Sequence, residues 1–386
     1  EMRQRKMMLA ALLVVALVTP TIAHCPTSCE CNDETLIVTC VKANLEVVPI
    51  TLNPSIQTLN LRENKIKTAT SFVFYASLHY LDLSHNELFN IPSKCFESQK
   101  ELEELHLNNN RLSSLTNFTF VGLKSLKILN LRHNYLLDLP DRFFRHLTQL
   151  KELDLGQNRI SRIDPAAFEN LASLRVLYLH DNQLKSVPTL AFSQLGSLRL
   201  SELNLSGAGL SNISENALRG IAALRNLVLT DNQLTAVPSR VLSKLNRLEE
   251  LSLGQNLFTA VTSGCLDGLV HLQRLDITGA QELVRIETGA FANNSTSARL
   301  YSTPTKGWRR SKTAQLFASS PASNVFYLPT RPEAEVKTGR RPHRGPAGTT
   351  VANGFSYIPG DLCRTTVDIP TLSIGAPPAA SSATEN

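Results

Sequence analysis

Apolar and polar residues recur along most of this chain in one fixed phrase, L-x-x-L-x-L-x-x-N-x-L. Clear copies are LEELHLNNNRL at residues 102–112, LKELDLGQNRI at 150–160 and LRVLYLHDNQL at 174–184. The central L-x-L of each copy alternates apolar and polar residues, which is the pattern of a short, half-buried strand. The chain is therefore predicted to stack many short parallel strands, one for each copy of the phrase.

An asparagine occupies the ninth position of the phrase in eight of nine copies, and most of these copies are 24 residues apart, as Asn86 and Asn110 are. An asparagine side chain both donates and accepts, so we expect it to satisfy backbone groups at a buried turn after each strand. The ninth position is Ala208, and its repeat has two extra residues within GSLRLSEL (196–203), which predicts a local irregularity there. The asparagines are Asn64, Asn86, Asn110, Asn134, Asn158, Asn182, Asn232 and Asn256.

Tandem copies of this phrase with a period of 20–29 residues are typical of leucine-rich repeats. The predicted fold is therefore an α/β leucine-rich repeat solenoid, a curved horseshoe with short parallel strands on its concave face. One repeat cannot bury its apolar face alone, so neighbouring repeats must stabilise one another. A second apolar column is predicted to fill the space behind the strands. Its members are Phe74, Phe96, Phe120, Phe144, Phe168, Phe192, Leu218, Leu242, Leu266 and Phe291.

The N-terminal region predicts secretion. Basic residues precede an apolar run from Met7 to Val18 and a small-residue site at Ala23, so residues 1–23 are predicted to be a signal peptide, with a signal anchor as the alternative. Residues 24–55 are predicted to form a cysteine-rich cap held by disulfides, whose pairing stays open, rather than a zinc site. The cap cysteines are Cys25, Cys29, Cys31 and Cys40. Cys95 and Cys265 are predicted to be buried and too far apart to pair.

The C-P-x2-C-x-C cap ahead of 24-residue repeats resembles that of extracellular leucine-rich repeat proteins of animals, such as Slit-type and Toll-type ectodomains. The resemblance covers about residues 25–292. It implies non-catalytic binding of an extracellular protein ligand or receptor, mostly through the concave sheet. Such ectodomains usually end in a second cap resembling P-W-x-C-D-C, which is absent here. An end built differently and a truncated or spliced form are the alternatives, and an uncapped end near Leu272–Phe291 predicts homodimerisation or fraying there.

About ten repeats are predicted over residues 56–296, and the pattern stops after them. Residues 297–386 contain ten of the nineteen prolines and Ser/Thr/Ala runs, which predicts a disordered tail. The tail has eleven basic and five acidic residues. Because the repeat pattern stops abruptly, the tail is interpreted as a segment of no selected role, and binding of its basic stretches WRRSK (308–312) and GRRPHR (339–344) to heparan-type glycans is the alternative. Nucleic acid is not expected as a partner of a secreted protein.

The strand residues that face solvent are the candidate ligand contacts. Bulky polar side chains dominate the earlier repeats, whereas small ones such as Ser206 and Thr230 appear later. Because tyrosine and arginine are typical interface anchors, the ligand is predicted to cover repeats one to six, with an ordinary solvated sheet face as the alternative. The proposed contacts are Arg62, His79, Tyr80, Asp82, His85, Glu104, His106, Asn130, Arg132, His133, Asp154, Arg175, Tyr178 and His180.

N-x-[ST] sequons predict glycosylation at five sites; the one at Asn204 falls on the concave face and would obstruct the seventh repeat, whereas Asn117 lies on a return segment. The predicted glycosylation sites are Asn117, Asn204, Asn212, Asn293 and Asn294. Several of the proposed contacts are histidines, which predicts polar surface rather than a metal site because they occupy different columns of the sheet.

No catalytic motif occurs in the sequence, since G-x-S-x-G, H-E-x-x-H, a P-loop and G-x-G-x-x-G are all missing. The sequence therefore predicts a non-enzymatic recognition protein without a cofactor, acting in cell adhesion, guidance or receptor signalling. The alternatives are an innate-immune Toll-type ectodomain or soluble decoy, and a matrix-organising protein like the small leucine-rich proteoglycans. The predicted location is secreted or extracellular, with a membrane-anchored longer form as the second option.

Overall fold

A computed structural model describes residues 24–70, 72–193, 195, 199–287 and 290, together with the backbone of 299–301 and 326–327. These residues form a solenoid whose coils each contribute one short strand to a long sheet. The strands of this sheet are β1 (Glu30–Asn32), β2 (Ile37–Thr39), β3 (Thr58–Asn60), β4 (Tyr80–Asp82), β5 (Glu104–His106), β6 (Ile128–Asn130), β8 (Glu152–Asp154), β10 (Val176–Tyr178), β11 (Glu202–Asn204), β12 (Asn226–Val228), β13 (Glu250–Ser252), β15 (Arg274–Asp276), β17 (Arg299–Tyr301) and β18 (Phe326–Tyr327).

All neighbouring strands of this sheet are parallel except β1 and β2, which pair antiparallel within the cap. The register places equivalent residues of successive repeats side by side, so that Leu81 pairs with Leu105 and Leu105 with Leu129. These leucines are fully buried. The period-two alternation of the sequence thus sets the register, because a slip by one residue would move every leucine to the solvent face.

The return segments of the coils are mostly turns. The other regular elements among the described residues are a 3-10 helix at Phe72–Phe74, the single-turn helix α1 (Ser239–Leu242), and two pairs of two-residue strands. The first pair is β7 (Asp138–Leu139) with β9 (Arg162–Ile163), and the second is β14 (Ala260–Val261) with β16 (Arg285–Ile286). Short turns let the coil close in about 24 residues without a long helix.

Stacked phenylalanines fill the space behind the sheet, as the second apolar column predicts. The rings of Phe144 and Phe168 are 6.2 Å apart and nearly parallel, and those of Phe168 and Phe192 are 5.9 Å apart. The prediction for Phe74 is wrong, because 56% of Phe74 is exposed. Phe72 is fully buried instead and stacks on Phe96 at 5.7 Å. Residue 72 precedes Phe96 by the usual 24 residues, whereas Phe74 does not. Phe291 lies outside the described residues.

The asparagine column forms a ladder of buried hydrogen bonds, as predicted. In a typical rung, the Asn134 Nδ2 donates to the carbonyl oxygens of Leu107 and Leu131, both at 3.0 Å. The Asn134 Oδ1 accepts from the backbone N–H of Leu112 at 3.0 Å. Each rung therefore joins two consecutive coils, and the eight asparagines are at most 8% exposed.

The residue before each ladder position adopts a left-handed backbone conformation, which the phrase alone does not reveal. The φ angle is 53° at His85, 54° at His133 and 52° at Gln157. Glycines occupy the equivalent positions 207 and 279. A non-glycine residue pays roughly 1–2 kcal/mol for this conformation, so the hydrogen bonds of the following asparagine must offset that cost in most repeats.

The repeat that ends at Ala208 keeps the sheet intact. Leu177 pairs with Leu203 in the same register as in the other repeats, and Ala208 is fully buried. Part of the predicted irregularity, at residues 196–198, lies outside the described residues. The methyl group of Ala208 cannot form the hydrogen bonds of an amide, so the ladder lacks a rung at this position.

The N-terminal cap contains the two disulfides that the cysteine spacing predicts. The bonds join Cys25 to Cys31 and Cys29 to Cys40, which settles the pairing that the sequence leaves open. Cys40 is fully buried, and its N–H donates to the carbonyl oxygen of Asn60 in the first repeat strand at 2.7 Å. The cap is therefore covalently closed and hydrogen-bonded to the first repeat.

The other two cysteines of the described region are free. Cys265 is buried as predicted, whereas Cys95 is only half-buried, and its thiol donates to the carbonyl oxygen of Ala69 at 3.0 Å. Burial raises the pKa of the Cys95 thiol to about 12. The thiol therefore stays protonated and unreactive at neutral pH.

The sheet continues past the predicted end of the repeats at residue 296. Strand β17 pairs with β15, and β18 pairs with β17, both in parallel. The predicted signal peptide and both basic stretches of the tail lie outside the described residues. Homodimerisation through the C-terminal end stays a prediction.

Candidate functional site: the concave face

The concave face presents two columns of side chains that belong to the first and last residues of each repeat strand. The middle residue of each strand points into the core and is buried, as Leu105, Leu153 and Leu177 are. The first and last residues flank it on the opposite side. These two columns therefore form the solvent-facing floor of the horseshoe.

The floor carries a strong excess of negative charge. Across the ten repeat strands from β3 to β15, the two columns hold seven carboxylates and a single guanidinium. That guanidinium, from Arg274, is paired with Glu250 at 2.8 Å. Five of the carboxylates lie between β4 and β11, and we call this set the acidic stripe; its members are Asp82, Glu104, Glu152, Asp154 and Glu202.

The aspartates of the stripe also have a backbone role. The Asp82 Oδ1 accepts from the N–H of Ser84 at 2.8 Å, and the Asp154 Oδ1 accepts from the N–H of Gly156 at 2.8 Å. Asn130 makes the same bond to the N–H of Arg132 at 3.0 Å. An uncharged amide therefore suffices to satisfy the backbone at the end of the strand.

Tyr80 lies at one end of the stripe, among acidic and imidazole groups. Its hydroxyl is 3.5 Å from the Asp82 Oδ2, and its ring centroid is 5.4 Å from that of His106. The His106 Nε2 is in turn 3.6 Å from the Glu104 Oε2. Burial raises the pKa of Tyr80 to about 12, and the charges of Asp82 and Glu104 add to the effect. The phenol is therefore neutral and can act as a hydrogen-bond donor.

Tyr178 lies near the other end, beside His180. The two rings meet edge to face, with centroids 6.2 Å apart. The His180 ring fills the space above Gly156, which follows strand β8 by two residues, so a side chain at that position would have to displace the ring. Burial, followed by the charges of Glu202 and Glu152, raises the pKa of Tyr178 to about 12.

The carboxylates at the middle of the stripe repel one another. Burial raises the pKa of Glu152, and the like charges of Asp154 and Glu202 raise it further. Burial also raises the pKa of Asp154, while the hydrogen bond from Gly156 N–H and the charge of His180 lower it. Both groups therefore favour their neutral form more than a free carboxyl does, chiefly because they are partly buried.

The cations nearest the strands are partly engaged with other acids along the flank. Lys127 contacts Glu103 at 2.5 Å, and Arg225 contacts Glu249 at 2.6 Å. These four residues each precede a strand. Their charges are consequently matched within the flank.

The proposed contact residues occupy five different columns of the face, two of which form the floor. Seven lie in the floor: Tyr80, Asp82, Glu104, His106, Asn130, Asp154 and Tyr178. His79 and Arg175 directly precede their strands, and Arg62, Arg132 and His180 follow two residues after theirs. His85 and His133 lie three residues after their strands, at the positions with a left-handed backbone. The floor is thus where the structure brings half of the set together.

Two carboxylates of the acidic stripe, Glu152 and Glu202, are absent from the proposed contacts. The sequence predicts bulky solvent-facing side chains in the early repeats and small ones in the later repeats. For the floor this prediction is wrong, because the first residues of β11, β12 and β13 are Glu202, Asn226 and Glu250. The small residues Ser206 and Thr230 come after the strands. Treating each position of the phrase as a separate column would have shown this from the sequence.

The described sequons lie in three different settings. Asn204 is the last residue of β11 and pairs in register with Tyr178. Its Oδ1 accepts from the N–H and the hydroxyl of Ser206 at 2.9 and 2.7 Å. Asn212 is exposed and Asn117 is half-buried, both away from the sheet floor. Asn293 and Asn294 lie outside the described residues.

A sequence profile of the leucine rich repeat matches residues 76–136, 124–184, 173–234 and 222–283, which is more than half of the chain. The chain belongs to the leucine-rich repeat family. Its repeats and disulfide-bonded N-terminal cap are those of the extracellular leucine-rich repeat proteins that the sequence resembles. No enzyme family is indicated by this match or by the relatives described next.

Similar proteins include reticulon-4 receptor-like 2 from Homo sapiens, which is 38% identical over 115 residues, 29% of this chain and 27% of that protein. Trophoblast glycoprotein from Macaca fascicularis is 32% identical over 104 residues, 26% of this chain and 25% of that protein. The matched segment thus spans about a quarter of the length of these relatives. Among solved structures, the TLR13–ssRNA13 complex has a similar fold, with a TM-score of 0.50 and 24% identity over 66% of this chain and 43% of that one.

No helix in the described part of the chain has the length and apolar character to cross a membrane. The same residues contain no cluster of three or more His, Cys, Asp or Glu side chains arranged to hold a metal ion.

Proposed function

We propose that this protein is a non-enzymatic extracellular recognition protein that binds a protein ligand or receptor on the concave face of its solenoid. The observation that carries the proposal is the floor between β4 and β11, where Tyr80 and Tyr178 stand among polar and charged side chains on a rigid sheet. Tyrosines of this kind are frequent anchors of protein interfaces because they bury a large surface at little entropic cost.

An extracellular location follows from the cap in this proposal. Two disulfides within residues 25–40 are stable in an oxidising compartment and rare in the cytosol. Relatives named as a receptor-like protein and a glycoprotein fit such a location. Adhesion, guidance and receptor signalling all use this type of surface.

A glycan on Asn204 would set one boundary of the binding surface. Because Asn204 pairs with Tyr178 on one side and Val228 on the other, a glycan there would cover the seventh repeat and its neighbours. The ligand would then contact the earlier repeats. Mass measurement of the secreted protein before and after enzymatic removal of N-glycans, with Asn204→Gln as the control, tests whether this sequon is used.

The test of the proposed function is a binding screen of the secreted full chain against a panel of extracellular receptors and ligands. The site variant is Tyr80→Ala/Arg132→Ala/Tyr178→Ala. The matched control also removes two exposed aromatics and one arginine, Phe74→Ala/Phe89→Ala/Arg247→Ala, away from the floor. A partner that binds the wild type and the control at least tenfold more tightly than the site variant supports the proposal. A partner that both variants bind equally well would overturn it.

A further inference from the structure

Resting on the proposed function, we infer that the acidic stripe receives a basic, extended segment of the partner protein, whose lysine or arginine side chains lie over the carboxylates between Tyr80 and Tyr178. This inference goes beyond the location of the site, because it specifies the chemistry of the partner.

The first argument is charge complementarity. The five stripe carboxylates share a floor that contains no cation between β4 and β11. Among the cations that directly precede a strand, Lys127 contacts Glu103 and Arg225 contacts Glu249, while Lys151 and Arg175 lie beside β8 and β10 at the edge of the floor. A cationic segment laid along the floor would therefore meet carboxylates on four of its six strands, β4, β5, β8 and β11, which favours both association rate and specificity.

The second argument is that the fold does not require these charges. Asp82 and Asp154 occupy a position where Asn60, Asn130 and Asn204 form the same hydrogen bond to the backbone N–H two residues later. The ladder and the core use neither carboxylate. Their negative charge is consequently available to a ligand.

The third argument concerns the two tyrosines. The Tyr80 ring lies beside Asp82 and Glu104, and the Tyr178 ring lies beside Glu202 and Glu152. An aromatic face next to carboxylates suits a lysine or arginine, because the ring attracts the cation and packs against its aliphatic stem while the carboxylate accepts its hydrogen bonds. Each end of the stripe offers such a pair.

The dimensions fit a short extended peptide. Five steps between neighbouring parallel strands separate β4 from β11, which at about 4.8 Å a step is roughly 24 Å. An extended segment of eight residues spans about 26 Å. Alternate side chains of an extended segment point to the same face, so four basic residues would lie on the stripe.

The test uses a labelled octapeptide of alternating lysine and serine as the probe, with alternating glutamate and serine as the charge-reversed peptide. The stripe variant is Asp82→Asn/Glu104→Gln/Glu152→Gln/Asp154→Asn/Glu202→Gln. The control makes the same change in net charge at five exposed acids outside the floor, Glu34→Gln/Glu46→Gln/Glu97→Gln/Glu215→Gln/Glu282→Gln. Binding is followed by fluorescence anisotropy at low and high sodium chloride.

We expect the full chain to bind the lysine peptide and not the glutamate peptide, with weaker binding at high salt. The stripe variant should bind at least tenfold more weakly, and the control should stay within twofold of the wild type. Equal binding by the stripe variant, an equal loss in the control, or no binding by the wild type would overturn the inference. Should the fivefold variant fold poorly, Asp82→Asn/Asp154→Asn gives the same test with the backbone hydrogen bonds kept.

The same variants separate this inference from the proposed function. If a partner from the receptor panel is lost by Tyr80→Ala/Arg132→Ala/Tyr178→Ala but kept by the stripe variant, the concave face binds a protein and the inference about its charge is wrong. If that partner is kept by both, both proposals are wrong.

Discussion

The Oδ1 atom of Asn134 accepts a hydrogen bond of 3.0 Å from the backbone N–H of Leu112 in the preceding coil. Because the amide of the same side chain donates to Leu107 and Leu131, one buried residue joins two coils. The solenoid is therefore held together by polar ladder bonds as well as by its leucine core, and both contributions can be measured.

Asn134→Ala should lower the free energy of unfolding by about 2–4 kcal/mol, because it leaves a buried N–H and two buried carbonyl groups with fewer partners. Urea denaturation monitored by circular dichroism measures the loss. The control Asn246→Ala changes an exposed asparagine and should stay within about 0.5 kcal/mol of the wild type. Similar losses for the two variants would show that the ladder contributes little.

Phe144→Ala should cost about 3–5 kcal/mol, because it removes a fully buried ring from the stack and leaves a cavity. Phe74→Ala is the matched change at the exposed phenylalanine and should cost less than about 0.5 kcal/mol. Urea midpoints of the two variants compare them directly. A large loss for Phe74→Ala would place that side chain in the core after all.

Loss of the Cys29–Cys40 disulfide should destabilise the protein more than loss of Cys25–Cys31. Cys40 is fully buried against the first repeat, and its disulfide closes the longer loop, with a separation of 11 residues against 6. We expect a loss of about 2–4 kcal/mol for Cys29→Ser/Cys40→Ser. Thermal melts rank the two double variants, and peptide mapping without reductant checks the pairing. The reverse ranking, or a different pairing, would contradict the prediction.

At pH 7 the melting temperature of Glu152→Gln/Asp154→Asn should equal that of the wild type or exceed it. The increase should be about 2 °C at most, because solvent screens these charges. Burial raises both pKa values in the folded state, so these carboxyls stabilise the fold below the ordinary carboxyl pKa. That contribution is lost as the pH rises through the raised values. The charged neighbours are Glu104, Glu202, His106, His180 and Arg132. The difference in melting temperature between the variant and the wild type should therefore become smaller as the pH falls toward 4.

Glu103→Gln is the control, because the pKa of Glu103 is shifted in the opposite direction. The hydrogen bond from Lys127 lowers the pKa of Glu103, so this group adds stability above the ordinary carboxyl pKa and loses it as the pH falls. Its substitution should lower the melting temperature at pH 7 and matter less in acid. Melting curves between pH 4 and pH 7 test both variants, and a shift of the same sign in the two would contradict the assignment.

Much of the fold could be predicted because the strand and the turn of each repeat are encoded by residues within that repeat. The leucines of the phrase set the strands and their register, and the asparagine column identifies the ladder. Phe74 shows where counting along columns fails, because the first repeat differs in length and Phe72 keeps the 24-residue spacing to Phe96. The left-handed backbone of residues such as His85 could not be predicted from the sequence. Of the ten residues that directly precede a ladder position, eight are not glycine.

Less of the candidate site could be predicted, because its members are neighbours only across strands. Glu152 and Glu202 are 50 residues apart in sequence, yet the charge of each raises the pKa of Tyr178, which lies in the strand between them. Neither residue looks unusual within its own repeat. The acidic stripe appears only when equivalent positions are aligned side by side.

The sequence by itself determined the class of fold, the cap with its cysteines and the direction in which each strand residue points, because these depend on local periodicity and on short-range spacing. The tertiary structure alone decided the pairing of the four cysteines, the choice of Phe72 over Phe74, and the gathering of five carboxylates with two tyrosines on one floor. These features depend on distances between residues that are far apart in the chain, and only the stacking of the coils fixes such distances.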